Sequence, residues 1–430
     1  MLGSTSDLLL VTDSGTDAVR VPVALAKDGR EGELDEALDA FRDEWNRWRG
    51  QGTEARGVDS RPMRGVYLRR RLVALAVLGL FVLAFVRLVS CGDADEDSSS
   101  RLPARGARAP SLGEQVGAVV LMRFNGTSAP RYVRRILRER RAAGATLFVE
   151  NIADPAQLRA LTRELQRAAG GRALIAVDQE GGSAIRLPWA PAPAQPELAT
   201  PAAAGEASRD IARSLAEVGV NVNFAPVVDV TSAQGGAVAA RAYPGGARDV
   251  AAASAAAVRA YAGAGVFPTA KHFPGFGRAT ANTDDAPVTI DAPRPALAPE
   301  LEPFRAAISA GAPLVMVSHA LYPAYDPRSI ASQSSAIVSG LLRRELGFRG
   351  VVATDSMEAA AVLARSRVDD AAMRAIYAGC DLLVLTGRGS YLPVYERLLA
   401  EARRSPGFRR RIEESAGRVL ALQRRLSDER

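Results

Sequence analysis

The chain has 430 residues, 47% of them hydrophobic and 24% charged, an ordinary globular balance long enough for one large domain with extensions. Its formal charge is +7, but the basic residues are interleaved with acids and form no aromatic-studded run, which excludes nucleic acid as a partner. The two cysteines, Cys91 and Cys380, lie in unlike contexts, and no Cys/His spacing matches a metal site, so no disulfide, metal or cofactor is expected.

In chain order, residues 1–60 hold a short apolar stretch and then a polar helical pattern around Glu33 to Arg49; neither points to a function. Leu72 to Val86 is an unbroken apolar run, preceded by Arg69, Arg70 and Arg71 and followed by Asp93, Asp95, Glu96 and Asp97. By the positive-inside rule the N-terminus is cytoplasmic and the chain beyond about residue 92 is outside. The run's 15 residues before Arg87 are short for a spanning helix and suit a signal core. Two readings stay open. One is a signal anchor with Arg87 snorkelling to the interface. The other is a lipoprotein signal, since Leu88-Val89-Ser90-Cys91 resembles a lipobox and Met63 opens a normal leader, MRGVYLRRR. The division is therefore 1–68, a cytoplasmic extension or a start placed too far upstream; 69–91, the anchor or signal; 92–112, a linker rich in Ser, Asp, Arg and Pro; and 113–430, the main domain. The membrane contact runs through residues 72–90 or a lipid on Cys91, placing the main domain on the outer side of a bacterial membrane.

From residue 113, short β-type runs alternate with amphipathic helical stretches. The predicted strands are Val116–Phe124, Thr146–Val149, Ala173–Val177, Val222–Phe224, Val266–Lys271, Leu314–Val317, Val351–Thr354 and Leu382–Leu385. Helical runs between them include Pro155–Ala169, Glu206–Val218, Asp249–Ala262, Pro303–Ala310 and Ser335–Leu346. Eight strand–helix repeats point to an α/β fold, a closed (β/α)8 TIM-type barrel preceded by one N-terminal membrane or signal segment. No Gly-rich phosphate loop follows the first strand, which weighs against a dinucleotide-binding sheet.

In such barrels, chemistry sits where strands end. Asp178-Gln179-Glu180-Gly181-Gly182, Asp229 with Arg241, Lys271-His272, Ser318-His319 and Asp355 all fall there. Lysine occurs only at Lys27 and Lys271, and histidine only at His272 and His319. A chain that uses Arg almost everywhere else sets one of each rare type side by side, where a compact point charge is wanted and a planar fork is not. Blander roles compete: Asp178 and Asp355 could cap helices, and His272 could be a satisfied core histidine.

The runs AVDQEGG (176–182), GVNVNFAPVVDV (219–230), KHFPGFG (271–277) and VVATDSMEAA (351–360), in this order and spacing, resemble glycoside hydrolase family 3. The likeness is greatest to its single-barrel bacterial β-N-acetylglucosaminidase branch and covers roughly residues 113–425, closing on RIEESAGRVLAL. It implies a carbohydrate substrate: hydrolysis of terminal β-linked sugars, most of all β-N-acetylhexosaminides of cell-envelope glycans, with retention of configuration. Asp355 is then the nucleophile, while Asp178, Arg241, Lys271 and His272 hold the sugar hydroxyls. His319 and Asn282 are expected as supporting partners. The branch carries an Asp-Ser-His acid/base motif after the fifth strand; here the stretch reads Asn282-Thr283-Asp284, and the second His of the family's KHFPGHG is Phe276. Asp284, or Asp285 beside it, is then the acid/base, its pKa raised by burial and by Asp355. A residue from another loop, a β-glucosidase or transglycosylase activity, and a carbohydrate-binding pseudoenzyme remain as alternatives.

Overall fold

Among the described residues, eight parallel strands close into a barrel: β1 (Val120–Met122), β2 (Gly144–Thr146), β3 (Leu174–Val177), β4 (Val222–Asn223), β5 (Phe267–Phe273), β6 (Leu314–Val317), β7 (Val351–Ser356) and β8 (Leu382–Val384). The computed structural model describes residues 109–231 and 236–428, and the backbone of two N-terminal strands, Ser6–Val11 and Ala18–Val23. The chain divides into two units, residues 1–103 and 104–430. In the first, the two short strands pair antiparallel with Leu8 opposite Val21. The run 72–86, Cys91 and the helical pattern at Glu33–Arg49 lie outside the described residues. Among the described residues, no helix is long and apolar enough to cross a membrane.

The strands are short and buried on both faces, as befits a parallel sheet sheathed by helices. Side chains alternate along each strand, and the two sets go to different places. Leu174 and Ala176 of β3, Phe267 of β5, Leu314 and Met316 of β6 and Val351 and Ala353 of β7 pack together inside the barrel. Ile175 and Val177 pack on the other side, against Leu158, Leu161 and Leu165 of the helix Pro155–Ala168. On the same faces, two steps beyond the inner set, come Asp178 after β3 and Asp355 on β7, and four steps beyond Phe267, past Thr269, comes Lys271 on β5. The alternation that fills the barrel thus sends these three polar groups to its mouth.

Several boundaries depart from the sequence expectation, each for a local reason. The predicted first strand began at Val116, but Leu112–Ala118 is helical. Ser111 caps it, with Glu114 closing a capping box, and pairing starts only at Val120. The second strand begins at Gly144, two residues early, and Val149–Asn151 forms a 3-10 turn. A Cβ on Gly144 would stand 1.8 Å from the Leu174 carbonyl oxygen, so this close approach requires glycine. The helix expected from Glu206 runs Pro201–Glu217, because Thr200 accepts from the Ala203 N–H and Pro201 suits the first turn. β5 and β7 continue to Phe273 and Ser356, since partners in the mouth hold their polar ends.

The opposite end of the barrel is closed by the C-terminal helix, Pro406–Asp428. Its Val419, Leu422 and Leu426 join the inner apolar cluster, and Gln423 Nε2 donates to the Ala143 carbonyl at 2.9 Å. Asp381, fully buried just before β8, fastens this floor. It accepts from Arg411 at 2.8 Å, Arg418 at 3.0 Å, the Val352 N–H at 2.9 Å, and Arg343.

Candidate functional site

The mouth is organised around Lys271, which is buried with its ammonium between two carboxylates. Nζ lies 2.8 Å from Asp178 Oδ1 and 2.6 Å from Glu180 Oε1. Arg241, on the short turn Ala239–Arg241, grips both Glu180 oxygens at 2.7 Å. Burial opposes the charge on Glu180, but Lys271 and Arg241 outweigh it and hold the carboxyl at about 2. Burial likewise opposes the charge on Lys271, and Asp178 and Glu180 reverse the effect, so its pKa lies above the ordinary lysine value. The Arg241 pKa is raised for the same reason. Asp178 keeps its second oxygen near Arg186, at 3.5 Å, and stays partly open. The group is a fixed set of charged donors and acceptors, suited to hydroxyl recognition.

His272 is held by Asp229. Asp229 Oδ2 lies 2.8 Å from His272 Nδ1, and Oδ1 accepts the backbone N–H groups of His272 and Phe276 at 3.1 and 2.7 Å. A buried carboxylate is an acceptor, which assigns the proton to Nδ1 and turns Nε2 to the mouth. Nε2 stands 3.9 Å from Asp355 Oδ2. The Phe276 ring tilts against the imidazole, 5.7 Å between centroids.

Asp355 keeps 26% of its side chain exposed, enough for a substrate to reach. Oδ1 accepts the Ser356 N–H at 2.8 Å. Burial disfavours its charge; His272, His319, Lys271 and that N–H prevail, and its pKa lies below the ordinary carboxylate value. His319 is buried beside Asp355 and makes no hydrogen bond to the Lys271 cluster among the described residues. Its Nδ1 lies 2.7 Å from Ser332 Oγ. Burial lowers its pKa, against the pull of Asp355.

The loop after β5 brings Asp284 to the same mouth. The Asp284 N–H donates to Asn282 Oδ1 at 3.2 Å, and Asn282 Nδ2 reaches back to Asp284 Oδ2 at 3.4 Å. The carbonyls of Thr283 and Asp284 accept from Ala361 and Ala360, which fastens the loop to the segment following Asp355. Burial first, then the charge of Asp355, lifts the Asp284 carboxyl to about 6, against the Asn282 hydrogen bond and His272. The side chain is exposed on its outer side, so water screens part of this effect. Asp285 is exposed as well.

The structure thus brings Asp178, Arg241, Lys271, His272, Asp284 and Asp355 to one mouth, with Asn282 supporting Asp284 and His319 beside Asp355. Sequence reasoning placed Glu180 and Asp229 at the rim without a task. Glu180 lies two residues beyond Asp178, so alternation alone could have set it beside Lys271. Glu300 carried no such signal. It is buried with Oε1 on Arg278 Nε at 2.5 Å, packs under Gly275, and is pushed by burial to about 7. Among the described residues, no set of His, Cys, Asp and Glu could hold a metal ion.

Residues 111–422 match the glycosyl hydrolase family 3 N-terminal domain. A beta-hexosaminidase from Xanthomonas oryzae pv. oryzae is 36% identical over 279 residues, 62% of this chain and 83% of that protein. A family 3 β-N-acetylglucosaminidase from Paenibacillus sp. str. FPU-7 superposes with a TM-score of 0.71 at 37% identity, covering 74% of this chain. The chain spans 63% of that longer protein. A β-N-acetylhexosaminidase from Beutenbergia cavernae superposes with a TM-score of 0.67 at 31% identity, over 73% of this chain and 99% of its own.

Proposed function

The chain belongs to glycosyl hydrolase family 3 and is a glycosidase that hydrolyses O-glycosyl bonds, and on that premise we propose that it removes terminal β-linked N-acetylhexosamine from cell-envelope glycans by a retaining mechanism. The carrying observation is geometric: Asp355, with Oδ2 3.9 Å from His272 Nε2, and Asp284, on the loop fastened to the segment after Asp355, share one mouth with the Lys271–Asp178–Glu180 cluster, and their surroundings lower the Asp355 pKa and raise that of Asp284. Two carboxyls pushed apart in this way divide into nucleophile and acid.

In the first step Asp355 Oδ2 attacks the anomeric carbon as the bond to the leaving oxygen breaks, and Asp284 gives that oxygen its proton. In the second, Asp284 takes a proton from water, the water oxygen bonds to the anomeric carbon, and the Asp355 ester is released. Asp178, Lys271 and the Arg241–Glu180 pair hold the hydroxyls. His272, oriented by Asp229, contributes Nε2 beside the attacking carboxylate. The barrel works on the outer side of a bacterial cell membrane, tethered through residues 72–90 or a lipid on Cys91; the charges flanking the apolar run support this.

The test is turnover of aryl N-acetylglucosaminide beside aryl glucoside, with NMR of the first-formed anomer. A β product and preference for the acetamido sugar are expected. An α product overturns the retaining step, and preference for glucoside overturns the sugar. Asp284→Ala should regain turnover of activated aryl substrates with azide, giving a β-glycosyl azide; no such product removes Asp284 as the acid/base.

A further inference from the structure

We infer that Glu358 and Thr386 are positioning residues for the carboxylate of Asp355, acting through Ser356; this rests on the reading of Asp355 as nucleophile. The register of β7 against β8 shifts between Ala353, opposite Leu382, and Ser356, opposite Val384. Three steps on one strand face two on the other, so Asp355 sits in an irregular stretch whose orientation regular pairing does not set. A second device has to fix it.

That device is a directed chain of hydrogen bonds. Glu358 Oε2 accepts from the Thr386 N–H at 2.7 Å and from Thr386 Oγ1 at 3.1 Å. Oε2 is the acceptor in both contacts, so the one hydroxyl proton of Thr386 is committed to Glu358. Thr386 Oγ1 also lies 2.5 Å from Ser356 Oγ, and Ser356 must therefore be the donor there. The chain has a single direction, Ser356 to Thr386 to Glu358, and it pins the residue whose N–H engages Asp355 Oδ1. The other oxygen, Oδ2, is left facing His272 Nε2 and the mouth.

The anchor is stiff. Arg123, just beyond β1, donates from Nη1 to the Thr386 carbonyl at 2.8 Å and is itself paired with Glu150. The chain thus ties Asp355 to the seam where the first and last strands meet. A Cβ on Gly387 would lie 2.5 Å from Glu358 Cγ, so the Glu358 stem is closely packed. Glu358 Oε1 is buried without a hydrogen-bond partner among the described residues. Such an atom costs stability where it stands, so holding Thr386 and, through it, Asp355 is the return on this carboxylate.

Thr386→Val removes the hydroxyl and keeps the shape; Thr386→Ser restores the hydroxyl. On aryl N-acetylglucosaminide, kcat should fall about tenfold in the valine variant, with KM within about twofold, and recover to within about twofold in the serine variant. Glu358→Gln, which replaces the carboxyl that directs the chain, should show the same split of kcat from KM and serves if the valine variant does not fold. Unchanged kcat in both the valine and glutamine variants, or equal loss in the valine and serine variants, overturns the inference. Covalent labelling of the wild-type protein by a 5-fluoro-N-acetylglucosaminyl fluoride, read by peptide mass, separates the two ideas. Label elsewhere than Asp355 removes the nucleophile reading, whereas label on Asp355 with unchanged kcat in the variants removes only the positioning role.

Discussion

The two ends of the barrel both bury carboxylates among cations, and they use them differently. At the floor, Asp381 faces Arg343, Arg411 and Arg418, and the last two contacts fasten the C-terminal helix under the barrel. At the mouth, Glu180 is matched by Lys271 and Arg241 in the same way, but the groups beyond it are left incomplete. Asp355 keeps one oxygen toward the opening, and Asp284 is lifted to about 6, by burial first and then by Asp355. Charge satisfied on all sides stabilises, and charge held short of satisfaction is available for chemistry.

Substitutions at each end should therefore fail in different measurements. The largest effect is expected from Asp355→Asn, a loss of kcat on the order of a thousandfold or more with melting temperature little changed. The same substitution removes the charge that raises Asp284, so carboxyl NMR should find the Asp284 pKa below about 6. An unmoved titration would mean that the two groups do not interact.

Asp381→Asn should do the reverse. It leaves three guanidinium groups short of their anion, and breaking a buried pair costs about 3–5 kcal/mol. Urea unfolding reads that loss, while activity per folded molecule should stay near wild type. A kinetic defect without a stability defect would erase the contrast between floor and mouth.

Asp284→Asn should lower turnover of alkyl glycosides by about a hundredfold, and of nitrophenyl glycosides far less, because a good leaving group needs little proton transfer. The pH profile follows from the signs. Asp284 must be protonated for the first step, so kcat/KM should be retained below about pH 6 and decline as the pH rises through that value. Asp355 must be ionised, so the acid limb lies below the ordinary carboxylate range. Survival of the alkaline limb in Asp284→Asn would assign it to another group.

The smallest effect concerns Glu300, which packs under Gly275 and pairs with Arg278 in the loop that follows His272. Burial raises its folded pKa from 4.5 to about 7, so the stability it contributes is full below the unfolded value and is lost as pH rises through about 7. Glu300→Gln mimics the neutral form and should flatten the decline in melting temperature between about pH 5 and about pH 8. An equal decline in both proteins would place the pH dependence elsewhere.

Much of this was legible in one dimension. The period of two in β3 and β7 marks the inner residues, and continuing it by one step reaches Asp178 and Asp355. The scarcity of lysine and histidine marks Lys271 and His272 without any knowledge of contacts. Boundaries were less legible. The capping box at Ser111 and Glu114 overrode an apolar run that reads as strand, and Gly144 reads as a breaker although its pairing requires it.

By itself, then, the amino-acid sequence determined the barrel, its eight strands and the set of polar residues at their ends, because periodicity and strand-end placement are local properties. Only the tertiary structure decided how those groups divide their charge. That Glu180 neutralises Lys271 and Arg241, that Asp229 turns His272, and that Thr386 links Glu358 to Ser356 all depend on contacts between distant strands. The strength of such contacts varies with separation and burial, and neither is written in the order of residues.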